Sequence, residues 1–335
     1  MSRHRGLLGK ALLVLFLGLL SRAGSGAEPA AAAAAAPAAT PKGPSPVFVG
    51  VFINRVTAVS LKENRFTVDF YLWFRWKDDE LKPIETFEVV NGKVESKNGV
   101  QVRKSGDYNY AQARVEASIS KFWDIARFPL DNHVATLEIE DNEFDETRIK
   151  YVADAVNSAL NTAVQIPGWD IAGSRADVFS HRYATNYGDI TLPTGAESTW
   201  ARFVYSIDMK RTGFGYFTKL FFGLFVAVLI SFLAFFIKPT DLDPRFGLGI
   251  GAIFAAVGSL YITTSNLPDT NIMTLADKLH ILAFVFIFLS LLESTVSLRI
   301  HADGNEELAR KVDIRSFVFL FAIYLAATII ITIRS

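Results

Sequence analysis

Four apolar stretches crowd the last third of this 335-residue chain, and they limit what it can become. Phe217–Ile237, Phe246–Ile262, Leu279–Leu298 and Ser316–Ile333 are each long enough to cross a bilayer as a helix, which takes ~20 residues with allowance for tilt. With their flanks, the spans run about 217–237, 244–265, 277–299 and 314–333. The third carries an acid, Glu293, which in hydrocarbon must face a partner or water. Ser231 and Ser290 are candidate partners. In the second, Gly247, Gly251, Phe254, Gly258, Tyr261 and Ser265 follow in steps of 4, 3, 4, 3 and 4, so all six share one helix face. Asp243 stands one turn earlier, at the membrane edge. In a bundle of such helices that face lines a narrow path with a charged mouth, which is a channel signature.

The rest of the chain belongs outside the membrane. Arg3, His4, Arg5 and Lys10 precede an apolar run, Ala11–Leu20, and small residues follow. Residues 1–26 read as a secretory signal peptide, the run being short for an anchor helix. Residues 27–46 are rich in Ala and Pro and read as a disordered linker. From Val47 to about Lys210 the pattern alternates with period two, as in Val47–Phe52, Arg65–Phe74, Ala111–Ser118, His133–Ile139 and Trp200–Met209. Asn91-Gly92, Asn98-Gly99 and Pro167-Gly168 punctuate the runs as turns. The expected fold is an all-β, immunoglobulin-like extracellular sandwich (47–210) followed by a four-helix transmembrane bundle (211–335). Arg310, Lys311 and Arg315 between the third and fourth spans place that loop inside the cell and the sandwich outside or in the periplasm.

Composition narrows the function classes. Lys plus Arg and Asp plus Glu both number 34, which gives no footing for a nucleic acid. The chain has no Cys, which excludes disulfides, thiolate metal sites and cysteine nucleophiles. No metal-ligand spacing, nucleophile elbow or phosphate loop occurs, and the five histidines are scattered, so neither an enzyme nor a metal or other cofactor is expected.

Several motifs, in order, then resemble one family. Trp76-Lys77-Asp78-Asp79-Glu80-Leu81 resembles its Trp-x-Asp-x-x-Leu strand, and Phe128-Pro129-Leu130-Asp131 the aromatic-Pro-x-Asp tip of its signature loop. Phe144-Asp145 resembles an aromatic-Asp pair, and Arg211 with Gly215-Tyr216 the arginine before the first span. Arg245-Phe246-Gly247-Leu248-Gly249-Ile250 is similar to the start of the pore helix in glycine- and GABA-type receptors, and Asn266-Leu267-Pro268 to the linker after it in bacterial members. The family is the pentameric ligand-gated ion channels (the Cys-loop receptor superfamily), and the likeness covers roughly residues 47–335. Lys121 and Ala135 stand where eukaryotic members carry the loop cysteines, as in the bacterial members, which also lack the bridge. Gly223 replaces a proline of the first span, Asn142 a tryptophan, and no Trp-x-Pro-Asp segment follows Pro83.

The resemblance implies a homopentamer in membrane lipid, gated by a small-molecule agonist or by protons and passing inorganic ions. The pore would be lined by Asp243, Gly247, Gly251, Phe254, Gly258, Tyr261 and Ser265. Five Phe254 side chains would form an apolar gate that blocks by dewetting. Five Asp243 carboxylates would favour cations, although an acid before Pro244 also suits a helix N-terminus, and the glycines also suit close helix packing. An anion-selective channel and a non-conducting receptor are the alternatives. Agonist candidates are Tyr71, Phe144, Tyr183 and Tyr187, whose ring faces suit a cationic amine. His133 and His181 are candidate pH sensors, with a structural place the commoner use of a lone histidine. Trp76 and Asp78 read as sandwich filler and turn residue. Phe128, Pro129, Asp131, Arg211 and Pro268 are expected where sandwich meets membrane, with Asp131 and Arg211 paired.

Overall fold

The computed structural model describes residues 43–334, apart from 189, 191, 192 and 194. The expected signal peptide and residues 27–42 of the expected linker lie outside the described residues. The first strand opens at Ser45, so Ser45 and Pro46 are strand rather than linker.

Alternation builds the sandwich. One sheet runs β4 (Gly92–Ser105), β5 (Tyr108–Ser120), β2 (Arg65–Trp76), β1 (Ser45–Ser60), β7 (Ile149–Ala153), with short β8 (Ala159–Leu160) also on β1. The other runs β3 (Phe87–Val89), β6 (Asn132–Asp141), β10 (Ser198–Arg211), β9 (Trp169–Tyr183). On β2 every second side chain from Phe66 to Trp76 is buried. Its antiparallel partner β5 presents Ala111, Ala113 and Ala117 opposite Phe74, Leu72 and Val68. Small residues beside large ones let the layer fill without overlap. A single helical turn, α1 (Pro83–Thr86), occupies the place of the missing Trp-x-Pro-Asp segment.

Four helices long and apolar enough to cross a membrane follow. These are α2 (Gly215–Phe232, prolonged by a 3₁₀ turn, Leu233–Phe236), α3 (Leu242–Thr264), α4 (Leu275–Ala302) and α5 (Glu306–Arg334). Helix α3 packs on α2 and α4, and α4 packs on α5. Much of α5 is apolar yet exposed, as at Val318, Phe319, Ile329 and Ile330, which suits contact with lipid.

Sandwich and bundle meet at a capped helix start. Thr274 and Asp277 form a capping box on α4, side chain to backbone N–H in both directions. The next residue, Leu275, donates its N–H to the carbonyl of Ala126 in the β5–β6 loop at 2.9 Å. That loop has no disulfide; Trp123 holds it, fully buried against Phe66 and donating Nε1 to the Ser60 carbonyl at 3.1 Å.

Candidate functional site

Three places collect the residues singled out above. The first is a cleft of about 680 Å³ on the four-stranded sheet, lined by Phe144, Tyr183, Tyr187 and Trp200. The β9–β10 pairing sets Tyr183 opposite Ser198, and the Tyr187 ring lies 5.8 Å from Tyr183, edge to face. Glu88, Glu140, Glu143 and Asp145 make the cleft acidic. At its floor Tyr183 Oη donates to Glu140 Oε2 at 3.0 Å and accepts from Arg202 Nη2 at 2.9 Å. Burial and the Glu140 charge push the Tyr183 phenol up to about 12. Burial, with Glu140 and Asp141 beside it, also raises the Glu88 carboxyl above its usual range. Tyr71 lies apart, on β2 of the other sheet, in a hollow of about 460 Å³ with Trp73, Arg75 and Tyr110. One chain therefore does not bring Tyr71 to the other three aromatics. His181 meets Tyr183 edge to face, with ring centres 4.6 Å apart.

The second place is the junction. Arg211 Nη2 donates to Asp131 Oδ1 at 3.1 Å, and both side chains are nearly out of solvent. The guanidinium is caged by aromatic rings, at 3.8 Å from the centre of Trp169, 5.2 Å from Tyr216 and 5.6 Å from Phe128. His133 Nε2 donates to the other oxygen of Asp131 at 2.6 Å and is itself wedged between Trp123 and Trp169. Burial disfavours the Asp131 charge, but the His133 hydrogen bond and the Arg211 charge outweigh it and hold the carboxyl below its usual range. Phe128, at the loop tip before Pro129, meets Tyr216 of α2 edge to face at 6.1 Å. Phe128, Trp169, Arg211, Ser265 and Asn266 line one cavity of about 520 Å³. Leu267 is buried here, while Pro268 is only half-buried. Trp169 and Tyr216 were not singled out from the sequence as cage residues. The signal was the turn at Pro167-Gly168, which reverses the chain directly onto Arg211, with Gly168 at φ +83°.

The third place is α3. Asp243, Gly247, Gly251, Phe254, Gly258, Tyr261 and Ser265 are all exposed in the single chain, Phe254 by 72 % and Tyr261 by 74 %. The opposite face, Arg245, Gly249, Ala252, Ala256 and Thr263, is buried. A Cβ added at Gly247, Gly251 or Gly258 meets nothing within 4 Å, whereas one at Gly249 would overlap Leu291. Close helix packing inside the chain thus belongs to Gly249 and not to the other three.

Arg245 and Glu293 depart from expectation. Arg245 is wholly enclosed, donating to Asp313 Oδ1 at 2.5 Å, to Glu293 Oε2 at 3.3 Å and to the Ile237 carbonyl at 2.8 Å. Glu293 therefore pairs with an arginine of α3. Ser231 and Ser290, proposed as its partners, instead bond the backbone carbonyls of Val228 and Ile287. An ion pair satisfies a buried carboxylate better than a hydroxyl, and helix packing supplies one. Trp76 is buried in the sandwich, and Asp78 accepts from the Glu80 N–H and from Arg148 at 2.6 Å.

No family model matches the chain. It is 22 % identical over 276 residues to the gamma-aminobutyric acid receptor subunit rho-3 of Homo sapiens, covering 75 % of this chain and 57 % of that subunit. It is 22 % identical over 274 residues to a proton-gated ion channel of Gloeobacter violaceus, covering 76 % and 73 %. A third relative is the receptor subunit epsilon of Rattus norvegicus, 22 % identical over 282 residues and covering 76 % and 53 %. The chain thus spans little more than half the length of the receptor subunits it matches. These relatives are receptors and channels, not enzymes, and four apolar helices make this chain a multi-pass membrane protein. The sandwich joined to that bundle, the loop tip without cysteines and relatives matched along three quarters of its length make this chain similar to the pentameric ligand-gated ion channels.

Proposed function

We propose that five copies of this chain form a gated, cation-selective channel in the cell membrane, with residues 47–210 outside it as the ligand-binding domain and residues 211–335 within it. One observation carries the reading: α3 buries one face against its own bundle and leaves the Gly–Phe–Tyr face bare. Five such faces around an axis enclose a lumen. Small glycines keep it open, and Phe254 narrows it to an apolar ring. Asp243 supports cation preference because it is exposed at the mouth, while the only nearby arginine of α3, Arg245, is buried and paired with carboxylates.

The stimulus would act on the acidic aromatic cleft. Carboxylates and ring faces together favour a small amine cation, and the raised Glu88 carboxyl on the cleft wall also makes it responsive to protons. Tyr71, on the other sheet, would complete the cage from a neighbouring copy. Movement there would reach α2 and α4 through Arg211, Phe128 and the Leu275–Ala126 hydrogen bond.

The test is the reversal potential of purified protein in planar bilayers under a NaCl gradient, with pH and then primary amines as stimuli. Reversal toward the sodium potential supports the reading. Reversal toward the chloride potential makes the channel anion-selective, and silence under every stimulus favours a non-conducting receptor.

A further inference from the structure

Helix α4 begins at the sandwich and runs ~42 Å away from it. Near its far end lies the cluster of Arg245, Glu293 and Asp313, one cation against two carboxylates. Both carboxylates reach the same nitrogen, Nη2, and Arg245 is completely enclosed. A single guanidinium balances only one of them, and an unbalanced charge in such a medium is costly. Among the described residues, no further cation is supplied by the surrounding elements. Lys238 after the 3₁₀ turn, Arg299 of α4 and Arg310, Lys311 and Arg315 of α5 are exposed, as are Asp241 and Asp243 beside α3. Nearer the sandwich, buried His280 is engaged by the Ala276 carbonyl and Ser259, and buried Tyr324 packs on Phe286; His301, at the far end of α4, turns inward with Nδ1 buried.

A second observation concerns the way in. Glu293 Oε1, Ser297 Oγ and His301 Nδ1 are buried without a hydrogen-bond partner among the described residues, and so is Arg245 Nε. Buried polar atoms are otherwise almost always satisfied. Glu293, Ser297 and His301 are four residues apart in turn, so they stack along one face of α4 at intervals of ~6 Å, which a single water bridges. The column leads from the cluster to the end of the bundle away from the sandwich.

We propose that Glu293 and Asp313 bind one exchangeable proton between them, taken from the aqueous phase at that end by way of Ser297 and His301. The proton passes from water to a carboxylate oxygen and returns the same way; nothing else is consumed. With it bound, the cluster is electrically balanced and Arg245 clamps α3 to α4 and α5. With it released, one carboxylate is left buried and unpaired, and the clamp loosens. The consequence for gating rests on the channel reading above, while proton binding itself does not.

Two measurements on the full-length protein separate these claims. Infrared difference spectra over a pH titration read the C=O stretch of a protonated carboxyl. We expect a band at neutral pH that disappears in Glu293→Gln or Asp313→Asn; a band unchanged in both variants, or none in the wild type, overturns the proposal. Planar-bilayer currents with pH set separately on each side then read the coupling. We expect the half-activating stimulus to shift about threefold or more when the side away from the sandwich moves from about pH 6 to about pH 9, and Glu293→Gln to abolish the shift. Gated current indifferent to that side's pH in the wild type overturns the coupling. Absence of any current counts against the channel reading and leaves the infrared result to decide proton binding.

Discussion

Arg211 shows how much one side chain is asked to do. Its charge is spent on Asp131, its faces on Trp169, Tyr216 and Phe128, and its place at the end of β10 ties sandwich to helix. Removing it leaves Asp131 buried with only His133 opposite. Arg211→Ala should lower stability by about 3–5 kcal/mol, or abolish assembly, as measured by thermal unfolding in detergent and by native mass. Asp131 and Glu88 give opposite pH dependences. The folded-state carboxyl of Asp131 is depressed, so its stabilisation is full above the ordinary value of 3.8 and is lost as pH falls below it. Glu88 is raised, so the folded state prefers its proton, and stability falls as pH climbs from 4.5 through the raised value. Glu88→Gln should flatten that second slope in a melting-temperature series while leaving the acid limb from Asp131 in place. The acids themselves were readable in the sequence. That Glu88 sits directly across from Glu140 was not, because it depends on the pairing of β3 with β6.

Among the elements, β2 and α3 were the most legible. Alternation along Phe66–Trp76 is the burial pattern of β2, and Phe70→Ala in its middle should cost about 3–5 kcal/mol by chemical denaturation, the usual penalty for a cavity at a buried Phe. On α3 the two faces should respond differently. Gly249→Val must displace Leu291 and should impair expression of the folded protein, whereas Gly251→Ala has open space in the chain and should act on conductance alone. Phe254→Ala should leave the resting state leaky in planar bilayers; an unchanged resting current would remove Phe254 from the gate. The stripe itself follows from a repeat of 3.6 residues. Which of the α3 glycines packs against a neighbour is decided by where Leu291 of α4 falls.

At the scale of the whole molecule, the aromatic candidates divide. Phe144, Tyr183 and Tyr187 gather in one cleft, and Tyr71 stays on the other sheet. If neighbouring copies close the site, Tyr71→Ala should raise the half-activating amine concentration by roughly tenfold while unfolding unchanged, about 1.4 kcal/mol of lost cation–π contact. Asp243→Ala should reduce the preference for sodium over chloride in the reversal-potential measurement without altering gating. By itself the sequence determined the periodic features: strands, spans, the bare stripe and the motifs of the loop tip. These are local, since a strand repeats every two residues and a helix every 3.6, and burial follows that repeat. Only the tertiary structure decided the partners of the charges inside the bundle. Arg245 meets Glu293, 48 positions away, and Asp313, 68 positions away, because charges removed from water pair with whatever opposite charge the packing of distant elements delivers.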